Sequence, residues 1–134
     1  MTAGPRDLEV CLPDRPGALA DLGQALGAAG VSLEGGGVFA CEGRAVAHYL
    51  VDDGSAALAA VAAAGLGPAV VRDVVMARLD QETPGQLGTL ARLLGDAGVN
   101  VATQYSDHAG NLVLLVSEEH LGACREVLAR WARG

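Results

Sequence analysis

The sequence predicts an α+β protein made of two tandem copies of one βαββα unit. Residues 16–31 repeat at residues 84–99, with nine of the sixteen aligned positions identical. Each copy also combines the alternation typical of strands with the helical spacing of apolar residues. A copy of about 65 residues buries only about 60% of its unfolded surface, so the two copies are expected to pack together. The identical pairs are Pro16/Pro84, Gly17/Gly85, Leu19/Leu87, Leu22/Leu90, Leu26/Leu94, Gly27/Gly95, Ala29/Ala97, Gly30/Gly98 and Val31/Val99.

Each copy begins with a strand and continues into a helix after a Pro-Gly pair. The strands are predicted at residues 8–12 and 74–79. Residues 83–86 match a capping box with proline as the first helical residue. Gly30 and Gly98 supply the left-handed residue that ends a helix. The apolar residues that define one face of each helix are Leu19, Leu22, Leu26 and Ala29, and Leu87, Leu90, Leu94 and Ala97.

A hairpin follows the first helix of each copy. In the first copy, Glu42 and Gly43 form the predicted turn into a strand at residues 45–51. In the second copy, residues 107–111 turn into a strand at residues 112–116. The strand before this second turn shows the period-two alternation of a half-buried strand, through Val99, Val101, Thr103 and Tyr105.

A second helix completes each copy, and only the first copy has a fourth strand. Ser55 is predicted to cap an alanine-rich helix that reaches Ala64. Residues 69–79 form one mostly apolar run, which is expected to provide the last strand of the first copy and the first strand of the second. The second copy then has no closing strand, so we expect its open edge to pair with a strand of the neighbouring module or of a second chain. The apolar face of the last helix comprises Leu121, Cys124, Leu128 and Trp131.

Composition excludes several classes of function. The chain has a net charge of −7, with nine basic residues, all Arg, and sixteen acidic residues. The absence of Lys excludes lysine-dependent catalysis and a phosphate-loop lysine. Without a basic patch, neither nucleic acid nor an anionic membrane is an expected partner. No secretion signal and no membrane-length apolar stretch occurs, so we expect a cytoplasmic protein.

The side chains that could support catalysis or metal binding are dispersed. His48, His108 and His120 fall on different elements, and no Ser or Cys has an identifiable neighbouring base. We therefore expect no enzymatic activity, no metal and no cofactor. His48 is predicted to be a core or interface residue, and glycines 35–37 a bulge or flexible loop rather than a phosphate cradle. The odd number of cysteines, Cys11, Cys41 and Cys124, predicts small buried side chains rather than disulfides.

The segment after the first strand of each copy resembles the ACT domain, a regulatory module of amino-acid metabolism. The resemblance runs from Asp14–Leu19 through Ala29–Leu33 in the first copy, and from Glu82–Leu87 through Ala97–Tyr105 in the second. The second copy is similar to the ACT domain of phosphoglycerate dehydrogenase, and the whole chain resembles stand-alone tandem ACT proteins. This resemblance implies two ferredoxin-like βαββαβ modules packed side by side, the second without its own last strand.

The resemblance also implies module boundaries, at residues 1–72 and 73–134, and a site for a small amino acid at the module interfaces. A helix N-terminus suits the ligand's carboxylate, a loop acid can pair with its ammonium group, and an Asn can both donate and accept. The residues carried over by position are the loop acids Asp14 and Glu82, the glycines Gly17 and Gly85, the first helical residues Ala18, Leu19, Gln86 and Leu87, and the residues after Gly-Val, Ser32 and Asn100.

Two functions remain open at this stage. In the first, the chain is a non-catalytic regulator that binds an amino acid, forms a homodimer and signals to a partner protein, for which an enzyme is a candidate. In the second, it is a regulatory or assembly subunit of an amino-acid-metabolism enzyme that no longer binds ligand. Ser32, together with Leu12 and Asp80 where serine-sensing relatives commonly place His, keeps the second open. Both Pro-Gly pairs can serve simply as helix starts, and Asn100 can simply fix its strand.

Overall fold

The computed structural model describes residues 4–134, and the chain divides into two compact units, residues 1–73 and residues 74–134. Each unit is α+β, with one antiparallel sheet and two α-helices. The predicted α+β fold class is confirmed: unit 1 has the strand order of a ferredoxin-like fold, and the described part of unit 2 has three strands instead of four.

Unit 1 forms a four-stranded sheet with the order β2-β3-β1-β4. Its core lies between the helices and one face of the sheet, because alternate residues of β1 (Leu8, Val10 and Leu12) join Leu22 and Leu26 of α1 in one apolar cluster. The elements are β1 (Arg6–Pro13), α1 (Ala18–Ala28), β2 (Leu33–Cys41), β3 (Arg44–Val51), α2 (Gly54–Ala63) and β4 (Ala69–Asp73).

The glycines at residues 35–37 lie within β2. The register between β2 and β3 shifts between Leu33 and Gly35, so the predicted bulge is confirmed. Gly36 has a φ of 128°, and a Cβ atom there would lie 1.9 Å from the carbonyl oxygen of His48. Glycine is required at this position because the backbone of β3 leaves no room for a side chain.

Unit 2 repeats the pattern with the strand order β5-β7-β6. Its core joins Leu90 and Leu94 of the first helix with Cys124 and Leu128 of the second. Within residues 74–134 no strand pairs with the outer edge of β5, as the missing closing strand predicts. The elements are β5 (Val75–Arg78), α3 (Gln86–Asp96), β6 (Val101–Ser106), β7 (Asn111–Val116) and α4 (Leu121–Ala132), which is preceded by a single 3-10 turn.

Most predicted turns and strand boundaries are confirmed. The run at residues 69–79 divides between β4 and β5. Gly30 and Gly98 end their helices in the left-handed conformation, with φ values of 73° and 78°. Glu42 and Gly43, both with positive φ, form the turn of the first hairpin.

Two predicted helix caps are wrong. The helix at Gln86 has Gly85 as its N-cap, so Pro84 is not the first helical residue and the capping box does not form. In unit 1 the carboxylate of Asp53, rather than the hydroxyl of Ser55, accepts the capping hydrogen bond from the Ala56 N–H at 3.0 Å. In both cases a residue with a preferred cap side chain lies close by in sequence, and the helix begins elsewhere.

Some residues that were predicted to face the core at the ends of α1 and α3 are exposed instead. Leu19 and Leu87 are 50% and 44% exposed, whereas the leucines three and seven residues later are buried. Ala29 and Ala97, at the C-terminal caps, are exposed too. Among the cysteines, Cys124 is buried as predicted, but Cys41 is exposed at the end of β2. No helix within residues 4–134 is long and apolar enough to cross a membrane.

Candidate functional site

The two loops predicted to hold the ligand share one backbone geometry. Gly17 and Gly85 are the N-cap residues of α1 and α3 and have left-handed φ values of 87° and 88°. Glycine adopts this conformation without the strain that a side chain would cause. No side chain of residues 4–134 caps either helix. Helix N-termini with free N–H groups attract anions, so both turns are suited to a carboxylate.

In unit 1 the loop places a cation beside this helix N-terminus. The Arg15 guanidinium donates to the Pro16 carbonyl at 3.1 Å and to the Asp21 carboxylate at 3.3 Å. A Cβ atom on Gly17 would lie 3.6 Å from Nη1 of the same Arg15 side chain. The Asp14 side chain is exposed. The loop therefore offers both charges that an amino acid requires, in a solvent-accessible position.

In unit 2 the loop is organised around Asp80. The Thr83 hydroxyl and the Glu82 N–H donate to its carboxylate and hold the pKa of Asp80 below its usual value. The Asp80 N–H donates in turn to the Gln86 side-chain carbonyl at 3.1 Å. Gln86 thus fixes the loop, while Glu82 keeps its own side chain exposed.

The two predicted strand-start residues differ in their surroundings. The Ser32 hydroxyl donates to Glu34 at 2.9 Å, and the Ser32 N–H donates to Asp52 at 3.1 Å. The hydroxyl proton of Ser32 is therefore already in use. Asn100 is exposed at the start of β6, where its amide is open to solvent.

Within each unit the loop and the strand-start residue lie at opposite ends of a helix. Gly17 precedes α1 and Ser32 follows it, just as Gly85 precedes α3 and Asn100 follows it. Both helices have 11 residues, which corresponds to a length of about 16 Å. A ligand as small as an amino acid cannot touch both ends, so neither unit alone joins its loop to its own strand-start residue.

The first helical residues also differ. In unit 1 Ala18 is buried in the core and Leu19 is half exposed. In unit 2 Leu87 lines a small cavity of about 190 Å³ between α3 and the sheet, together with Ala91 and Gln104. Leu87 is two residues after Gly85, and the apolar lining of the cavity can accept an aliphatic group.

A larger cleft in unit 2, of about 810 Å³, was not predicted. One stripe of each helix forms its walls: Gln86, Leu93 and Asp96 from α3, and Val127, Arg130 and Trp131 from α4. The Trp131 indole N–H donates to the Arg78 carbonyl at 2.9 Å. Of these α4 residues, the sequence analysis placed only Trp131 on the apolar face of the helix, and it did not single out Val127 or Arg130.

Unit 1 also contains a buried pair formed by His48 and Asp7, away from these loops. His48 on β3 contacts the Asp7 carboxylate on β1, and both are buried on the sheet face opposite the helices. The prediction that His48 is a core or interface residue agrees with this burial. Among residues 4–134, no group of three or more His, Cys, Asp or Glu side chains is arranged to hold a metal ion.

The chain matches no protein-family model and no curated protein sequence. Its fold is similar to that of a Bacteroides thetaiotaomicron protein, with 22% identity and a TM-score of 0.80 over 95% of this chain and 88% of that one. It is also similar to the ligand-free regulatory subunit of aspartate kinase from Thermus thermophilus, with 18% identity and a TM-score of 0.73 over 95% and 91% of the two chains. Aspartate kinase from Synechocystis matches with 17% identity and a TM-score of 0.70 over 96% of this chain and 25% of that one. Because these sequence identities are low, the structural similarity establishes only that the chain has the ACT-type fold.

Proposed function

We propose that this chain is a cytoplasmic, non-catalytic regulatory protein that binds a small amino acid at interfaces between its ACT-type modules and signals to a partner protein. The observation that carries the proposal is the repeated glycine turn, in which Gly17 and Gly85 start equivalent helices that no described side chain caps. In unit 1 the Ala18 N–H already donates to the Arg15 carbonyl at 3.3 Å, so the later N–H groups of that turn would bind the ligand. The similarity in fold to an aspartate kinase regulatory subunit supports a regulatory role.

The chemistry of the proposed site follows from the loops. The ligand carboxylate would accept hydrogen bonds from the N–H groups after the loop glycine, where the helix dipole favours negative charge. Asp14 or Glu82, both exposed, would pair with the ammonium group. In unit 2 the cavity beside Leu87 would receive an aliphatic side chain.

The proposed site needs residues from two modules. Because α3 separates Gly85 from Asn100 by about 16 Å, we propose that a second copy of the chain brings its strand-start residue to the loop. In this homodimer the outer edge of β5 also pairs with another strand. Light scattering that shows a dimer, together with slow hydrogen exchange in residues 75–78, is the expected result. A monomer whose β5 amides all exchange rapidly would contradict the dimer.

Thermal denaturation with a panel of amino acids tests the binding function. A ligand at 100 times its dissociation constant stabilises the fold by about 2.7 kcal/mol, which raises the melting temperature of a chain of this size by several degrees. Asn100→Ala should abolish the shift without unfolding the protein, because Asn100 is exposed. Gly88→Ala is the matched control, since a Cβ atom at that position meets nothing within 4 Å.

The alternative is a regulatory or assembly subunit that contacts an enzyme without binding an amino acid. The arrangement of Ser32 favours this alternative for unit 1, because its hydroxyl and N–H are already bonded to Glu34 and Asp52. A cooperative melt that no amino acid shifts, together with co-purification of an enzyme, would support the alternative over the sensor.

A further inference from the structure

We infer that the cleft between α3 and α4 of unit 2 is a docking site for an extended peptide segment of the partner protein. The segment carries a carboxylate at one end, a cationic side chain at the other and apolar side chains between them. This inference rests on the proposed regulatory function, because it supplies the surface through which the module contacts its partner.

The length of the cleft fits a peptide better than a free amino acid. Gln86 and Asp96, which are ten residues apart on α3, both line it, so it extends about 15 Å along the helix. An extended chain advances about 3.3 Å per residue, and four or five residues therefore span this length. The volume of about 810 Å³ is also large enough for several side chains.

The two ends of the cleft carry opposite charges. The strands β5 and β7 are antiparallel, and α3 and α4 follow them, so the C-terminal ends of the two helices point in opposite directions. Asp96 is the last residue of α3, and Arg130 lies in the last turn of α4. Neither forms an ion pair with any residue that the structure describes. A segment with opposite charges at its two ends complements this arrangement.

The other charged groups of the cleft already have partners. The Arg78 guanidinium donates to the Ala109 carbonyl and to the Asn111 side chain, each at 3.0 Å. The Asp80 carboxylate accepts from Glu82 and Thr83. Arg78 and Asp80 keep their charges, but among the charged side chains of the lining only Asp96 and Arg130 have no hydrogen-bond partner within residues 4–134.

The middle of the cleft is apolar and rigid. Leu93 is 45% exposed, and Val127, which also lines the cleft, is buried. The hydrogen bond from Trp131 to Arg78 fixes the indole ring. Apolar side chains of a bound segment can cover Leu93 and pack on the ring, which reduces the exposed apolar surface.

Trp131, the only tryptophan of the chain, makes binding measurable by fluorescence. Three pentapeptides with acetylated and amidated ends serve as probes: RLVLE, ELVLE and RLVLR. The wild-type protein should bind the mixed-charge peptide about fivefold more tightly than either like-charged peptide, since each of those loses one ion pair. Asp96→Arg should shift the preference to ELVLE, and Arg130→Glu should shift it to RLVLR.

Arg133→Glu is the matched control, because it makes the same charge change at the C-cap of α4 without lining the cleft. It should keep the wild-type preference. If Asp96→Arg fails to melt cooperatively, Asp96→Asn replaces it and should remove the discrimination between RLVLE and ELVLE. Equal binding of all three peptides by the wild type, or no fluorescence change up to about 5 mM, would overturn the inference.

The two proposals fail separately. The amino-acid melting shift tests the loops at Gly17 and Gly85, whereas the preference among the three peptides tests Asp96 and Arg130. A shift that persists while no peptide binds removes only the docking site. If the protein discriminates among the peptides but no amino acid shifts its melting temperature, the amino-acid-binding function is rejected and the docking site is kept.

Discussion

Nδ1 of His48 lies 3.0 Å from Oδ2 of Asp7, in a buried pair that joins β3 to β1. Nε2 of the same ring lies 3.7 Å from the Glu9 carboxylate, which also pairs with Arg72 at 2.7 Å. The hydrogen bond to Asp7 raises the pKa of His48 above its usual value, against the effect of burial. The charges of Asp7 and Glu9 add to this rise, and Arg72 opposes it.

This pair predicts that unit 1 loses stability as the pH rises above neutrality. A histidine whose pKa is higher in the folded state contributes its full stabilisation below its unfolded pKa of about 6.5, and loses it as the pH rises through the folded value. The free energy of unfolding should therefore fall as the pH rises above about 6.5 and through the raised pKa of His48. Urea denaturation at a series of pH values measures it.

His48→Gln is the variant that isolates the effect. Glutamine can still donate to Asp7 but does not titrate, so the decline in stability over this pH range should flatten. The variant should also be less stable at pH 6 by about 3 kcal/mol, because a buried carboxylate loses its cationic partner. His108→Gln, in the exposed hairpin turn, is the control and should keep the wild-type pH profile.

The close approach of β3 to Gly36 means that a side chain at this position should clash with the backbone. Gly36→Ala should destabilise the protein by about 3 kcal/mol or more, because its Cβ atom would overlap the His48 carbonyl and its φ is left-handed. Gly23→Ala, in the open middle of α1, should instead stabilise it by about 0.5–1 kcal/mol. Equal effects of the two substitutions in chemical denaturation would contradict the close approach of β3.

The helix cap of α2 gives a direct comparison of the predicted and observed caps. Asp53→Ala should cost about 1 kcal/mol, because the Ala56 N–H loses its acceptor. Ser55→Ala should be neutral or slightly stabilising, since Ser55 lies inside the helix. A larger cost for Ser55→Ala than for Asp53→Ala would restore the cap predicted from the sequence.

The fold was predictable because the repeat is redundant. Leu22 and Leu90 identify the same buried helix position twice, and Gly30 and Gly98 mark the same helix end. The helix starts were less predictable, because Thr83 and Ser55 have the side chains of good caps. The local sequence offers competing helix starts: Asp53 rather than Ser55 caps α2, and the left-handed Gly85 rather than Thr83 precedes α3.

The glycine turns at residues 17 and 85 were identified from the sequence as candidate ligand loops. Their left-handed φ values were not predicted, because the expected capping box placed Gly85 inside the helix. The cleft beside Trp131 was missed because its walls come from segments about 40 residues apart, and the apolar spacing of α4 is the same for a core face and for a groove. Whether Leu93 or Trp131 is covered depends on the distance between two helices, which periodicity does not encode.

Trp131 also stabilises β5, whose outer edge pairs with no strand among the described residues. In unit 1 β4 pairs with β1, whereas in unit 2 the indole N–H of Trp131 satisfies a carbonyl of β5 at Arg78. Trp131→Phe should keep the aromatic packing and lose this hydrogen bond, at a cost of about 1 kcal/mol. Circular dichroism during urea denaturation measures this cost without the tryptophan signal, and hydrogen exchange should accelerate in residues 75–78. Unchanged exchange there, together with wild-type stability, would mean that the outer edge of β5 is held by pairing with another strand and not by the indole.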